Sequence, residues 1–129
     1  MNLLEQFAMH IEMLGHGKIA DEKTRGNIFY GRMPDDPDEC ICVFSNDSGI
    51  GGTDHPARIQ VYVRGLQPRR AYEWSQAIAN DLHAYEGYLA GDGASVSINV
   101  INASVGLGED GKKRQLYSSN FEVFYCNFF

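Results

Sequence analysis

Residues 58–64, Arg-Ile-Gln-Val-Tyr-Val-Arg, alternate polar and apolar side chains without a break. A period of two puts Ile59, Val61 and Val63 on one face of an extended chain, with Arg58, Gln60, Tyr62 and Arg64 on the other. Such a strand is stable only in a sheet whose apolar face is covered, so the chain must supply a second layer. Gly65 closes the strand and Pro68 stands where a first-turn proline belongs. Ala71, Trp74, Ile78, Leu82 and Tyr85 then recur at three- and four-residue steps. This spacing predicts a helix of about five turns, ended by Gly87, with Trp74 anchoring it on the sheet.

The remaining elements follow from the same two periods. Leu3, Leu4, Phe7, Ile11 and Leu14 predict a helix over 2–14, with Asn2 as N-cap, Glu5 three residues later and Gly15 and Gly17 at its end. Residues 27–32 form a short strand candidate. Pro34-Asp35-Asp36-Pro37-Asp38 is a turn, and 39–44 reads as a strand buried on both faces. Residues 45–57 are a polar Gly/Asp/Ser loop of a length that usually serves an interaction. Gly91-Asp92-Gly93 is a second loop. Residues 95–105 alternate with a one-residue phase shift, as at a bulge. Residues 106–113 are a turn and 115–129 an aromatic last strand. The order α-β-β-β-α-β-β predicts an α+β fold: a mostly antiparallel sheet packed with two main helices, in one domain over residues 1–129. With both faces of the last strand apolar, either the two helices divide the cover or a partner chain supplies it.

Composition narrows the function classes. Eleven Lys and Arg stand against 17 Asp and Glu, a net charge of −6, which argues against a general nucleic-acid binder. No apolar run approaches the ~20 residues that span a bilayer, and the first residues lack a basic, cleavable leader. Reduced thiols are the expectation for three cysteines without an export signal.

Two phosphate-binding patterns overlap at Gly106–Lys112: Gly106-x-Gly108-x-x-Gly111, and Gly106-x-x-x-x-Gly111-Lys112. Both need a helix next, and here a strand follows. Lys113 stands where a P-loop needs Ser or Thr, and Glu109 and Asp110 would repel a phosphate. A hairpin turn is the preferred reading; a small nucleotide-binding or hydrolytic enzyme using this turn is the alternative. Cys40 and Cys42 share a strand face, with Cys126 on the last strand, but the pattern lacks the second pair of a zinc site. His10, His16, His55 and His83 are scattered, and the carboxylates of Asp35, Asp36, Asp38 and Glu39 need not converge on a cation. No catalytic, cofactor or metal constellation emerges.

Pro37-Asp38-Glu39-Cys40-Ile41-Cys42-Val43, then Gly49-Ile50-Gly51-Gly52, then Ile59-Gln60-Val61-Tyr62-Val63-Arg64-Gly65 and a helix containing Ala71 form a series that resembles the minor capsid or tail-terminator proteins of long-tailed bacteriophages and prophages. The likeness spans most of the chain and implies a structural virion subunit of the tail or neck, made in the host cytoplasm. It implies no cofactor. Its partners would be further copies in a hexameric ring, the tail tube protein and head connector proteins, with DNA passing through unbound and no membrane involved. On this reading Gly49, Gly51, Gly52 and Asp54 of the loop, with Arg58 and Arg64 of the strand, are the expected protein-contact residues. Their basic groups would face a neighbour's Asp35, Asp36 and Asp38.

Overall fold

A computed structural model describes residues 2–21, 25–45 and 56–126. The elements are α1 (Leu3–Met13), β1 (Ile28–Tyr30), β2 (Cys40–Ser45), β3 (Ala57–Gly65), α2 (Pro68–Leu82), β4 (Glu86–Tyr88), a single 3-10 turn at Leu89–Gly91, β5 (Ser95–Glu109) and β6 (Gln115–Cys126). One six-stranded sheet runs β1-β2-β3-β6-β5-β4, antiparallel throughout except for β1 beside β2. This is the expected α+β arrangement, with one short strand, β4, that the sequence does not announce.

Local chemistry sets the element ends. The Asn2 side chain accepts from the Glu5 amide at 2.8 Å and caps α1. Pro68 opens α2, which stops at Leu82, three residues before the expected Tyr85: His83 is already extended, and Ala84 then turns into the left-handed region with φ +60°.

Both helices lie on the same face of the sheet. Phe7, Ala8 and Ile11 of α1 and Ala71, Ile78, Ala79 and Leu82 of α2 share one buried cluster with Ile41, Val43, Ile59, Val61, Val63, Ile98, Phe121 and Val123. The register explains this set. Val61 lies opposite Val43 on one side and Ser119 on the other, and Ile59 opposite Phe121, so the inward rows line up across the sheet. The Phe7 and Phe121 rings meet at 6.0 Å between centroids. The helices therefore do not divide the two faces between them.

Trp74 is half-buried rather than central. Its indole N–H donates to the His16 carbonyl at 3.0 Å, so it fastens α2 to the turn after α1. Where β5 bulges, Ser104 adopts φ +52° and its amide donates to Ser119 Oγ at 2.9 Å. Its hydroxyl donates to Ser75 Oγ of α2, also at 2.9 Å. These buried hydroxyls satisfy one another where the ladder is interrupted.

Candidate functional site

Among the described residues the second face of the sheet carries no helix. Cys40, Cys42 and Phe44 of β2, Gln60, Tyr62 and Arg64 of β3, and Leu116 and Ser118 of β6 stand on it in register. Its two halves differ. Residues 31–39 fold back over the end that holds Cys40, Cys42 and Arg64, while the other half is an open groove of about 500 Å³. Met33, Phe44, Gln60, Tyr62, Leu107 and Leu116 line that groove.

Two buried arginines hold the folded-back segment. Arg64, 5% exposed, donates to the main-chain oxygens of Pro34 (2.8 Å), Asp35 (3.3 Å), Pro37 (2.7 Å) and Asp38 (3.2 Å). Arg114, 4% exposed, donates to the Asp35 carbonyl at 2.6 Å and forms ion pairs with Asp35, Asp38 and Asp110 at 3.1, 3.4 and 2.8 Å. A guanidinium suits this task because its five donors fan out in a plane and can serve several acceptors at once. The peptide bond between Asp36 and Pro37 within the segment is cis.

Asp110 is the cap of the β5–β6 turn. Its carboxylate accepts from the amides of Lys112 and Arg114, and these contacts, led by the Arg114 amide, hold its pKa down to about 2. The Asp35 carboxyl is also held below its ordinary range, first by Lys112 and then by Arg114.

These contacts correct one sequence expectation. Period two correctly puts Arg64 on the polar row, but the residue is covered and engages Pro34–Asp38 of its own chain rather than facing outward. Arg58 is exposed, opposite Glu122 of β6. Gly49, Gly51, Gly52 and Asp54 lie outside the described residues, as does His55.

The other motifs resolve as follows. Residues 106–109 belong to β5 and a turn leads straight into β6, so no helix follows Gly111. The Lys112 ammonium is engaged by Asp35. Cys40 and Cys42 are buried free thiols; burial pushes both up, Cys42 to about 12, far from the thiolate that zinc requires. Position 126 lies at the far end of β6 from the stretch opposite Cys40, and β3 separates the two strands. Among the described residues no group of three or more His, Cys, Asp or Glu could hold a metal ion, and no helix is long and apolar enough to cross a membrane.

One surface went unread in the sequence. From Ser95 to Gly108 there is no charged residue and no proline. β4 pairs only with Ser95–Ser97 of this strand, and the Ile98 and Val100 amides donate to the Tyr85 carbonyl (2.9 Å) and His83 Nδ1 (3.2 Å), so β5 forms the sheet edge beyond Val100, with Ile101, Val105 and Leu107 exposed at 45%, 43% and 50%. Edges of this type are usually blunted with charge. Here the register shifts at 100–102, 102–105 and 106–108 bend the strand instead. The charge-free run was the available signal.

Residues 11–125 match the family model described as bacteriophage tail terminator protein. No curated protein matches the chain.

Proposed function

Because the chain belongs to the bacteriophage tail terminator family and is thus a structural tail protein, we propose that it acts as a ring-forming subunit that caps the finished tail tube and joins it to the head. The observation that carries this reading is the family match over nearly the whole chain. Two features support the reading: Arg64 and Arg114 are engaged in holding the fold, and an apolar groove and strand edge stand open.

Six copies would form the ring, with the tail tube protein on one side and head connector proteins on the other. Segment 45–57 and the exposed Arg58 are the proposed subunit contact, joined by the apolar groove around Leu107 and Leu116. Arg64, committed to its own chain, has no part in it. The net charge of −6 per subunit favours a channel through which DNA slides without adhering.

The test is a phage lacking this gene, complemented with the protein. Electron microscopy should show tails of irregular length that fail to join heads without it. Tails of normal length, and a ring at the tail end, should return with it. Normal joined tails in its absence would refute the assignment.

A further inference from the structure

Residues 84–94 carry β4 and the 3-10 turn and cover the edge of β5 at Ser95–Ser97. This segment contains two alanines in the left-handed region, Ala84 at φ +60° and Ala90 at φ +52°. L-residues adopt that conformation only when surrounding contacts impose it. Two side chains of α1 supply such contacts at the Ala90 end of the segment. Gln6 Oε1 accepts from the Ala94 amide at 2.6 Å, and His10 Nδ1 accepts from the Ala90 amide at 2.9 Å.

His10 is fully buried, its ring 4.6 Å from that of Tyr85. Because Nδ1 accepts, the neutral ring carries its proton on Nε2, and that nitrogen has no hydrogen-bond partner among the described residues. A second proton could enter only at Nδ1, which would turn the acceptor into a donor facing the Ala90 N–H. It would also leave a buried cation with nothing to stabilise it.

We propose that residues 84–94 form an acid-releasable clasp over the edge of β5, with His10 as its latch. Below neutral pH, protonation of Nδ1 breaks the bond to Ala90, the strained Ala90 relaxes, and the ladder to Ser95–Ser97 opens. This exposes more of the same charge-free strand whose remaining edge is already uncovered. Among the described residues the other titratable groups around the clasp are engaged elsewhere: His83, exposed at the end of α2, accepts from the Val100 amide at 3.2 Å, outside the β4–β5 ladder. Tyr85 stacks on the ring but turns its hydroxyl to the Tyr88 carbonyl. On α1, Glu12 accepts from the Ile19 amide and Glu5 faces Tyr30. On the clasp, Glu86 and Asp92 are exposed. Burial itself disfavours the charged ring and lowers its pKa, so the cation forms readily only in the opened state.

The test is amide hydrogen exchange of the full chain at pH 7 and pH 5, expressed as protection factors so that the intrinsic pH dependence cancels. Protection at Ala90, Ala94 and the β4–β5 ladder should fall about tenfold or more on acidification while β3 and the middle of α2 hold theirs. His10→Asn, which can accept from Ala90 but cannot titrate, should abolish the pH response. Equal protection at both pH values, an equal fall in His10→Asn, or a uniform fall across the whole chain would each overturn the proposal. Should that variant fail to fold, the His10 ring resonances of the native chain decide. An Nε2–H tautomer titrating together with the loss of protection supports the latch, and an Nδ1–H tautomer or an elevated pKa refutes it.

Discussion

Arg64 donates to the main-chain oxygen of Pro37 at 2.7 Å across a gap of 27 residues, from a side chain only 5% exposed. With Arg114, this strand residue holds a turn that has no regular structure of its own. Arg64→Met should preserve the stem volume and remove every donor, destabilising the fold by about 2–4 kcal/mol, since bonds from a charged donor are worth more than neutral ones. Urea unfolding measures this directly. A loss below about 0.5 kcal/mol would show that residues 34–38 hold their own conformation.

The Asp110 cap gives a signed pH dependence. Its folded pKa of about 2 lies below the ordinary 3.8, so the folded state binds fewer protons than the unfolded chain through that window. The stabilisation is complete above about pH 4 and is lost as the pH falls through the folded value near 2. Asp110→Asn should lower the melting temperature at pH 6 and flatten its dependence between pH 4 and pH 2. Parallel melting curves for the two proteins over that window would refute the cap's role.

Phe7 of α1 and Phe121 of β6 join the first helix to the centre of the sheet. Each single change to alanine should cost about 3–5 kcal/mol. The rings touch, so the double variant should fall short of the sum by about 0.5–1.5 kcal/mol. Strict additivity would mean that the two rings pack independently.

Trp74→Phe isolates one hydrogen bond. The variant keeps most of the apolar surface and loses the donor to the His16 carbonyl, so about 1 kcal/mol is expected. Trp74→Ala should cost about 2–3 kcal/mol, less than a fully buried aromatic. A loss of 4 kcal/mol or more would show the indole to be a central core residue.

Leu107→Glu tests the open groove. The side chain is half exposed, so folding stability should change by no more than about 0.5 kcal/mol. Capping of tail tubes, scored by electron microscopy, should nevertheless fail, because a buried carboxylate would enter an apolar contact. Normal capping would remove the groove from the proposed interface.

Much of this architecture is legible in the sequence where one period governs a segment. Residues 58–64 announce β3 and its inward row, and Asn2 with Glu5 announces the start of α1. Legibility ends where tertiary contact overrides local pattern. Period two tells which side of β3 Arg64 occupies, but not that residues 34–38 fold over that side and bury it. Glu86–Tyr88 is too short to show a period and exists as a strand only because β5 lies beside it. The helical spacing runs on to Tyr85, yet α2 ends at Leu82 and the turn at Ala84 sends Tyr85 to the His10 ring instead. In the candidate surface, Arg58 keeps its predicted exposure, whereas the groove draws residues from five separate segments that no single window contains.

The Ile19–Ile28 bridge at the far side of the sheet limits how copies can combine. Lys18 and Ala20 take up both the amide and the carbonyl of Ile28, so the β1 border is largely sealed while the β5 border stays open. Among the described residues the two borders are therefore unequal: β1 is taken up at Ile28, whereas β5 is open from Ile101 onward. Strands added head to tail need both borders of every subunit, so this inequality disfavours an endless ribbon built by backbone pairing. In the ring proposed above, such a sheet would leave the seams to side chains, whose contacts can be made and broken without unzipping a ladder.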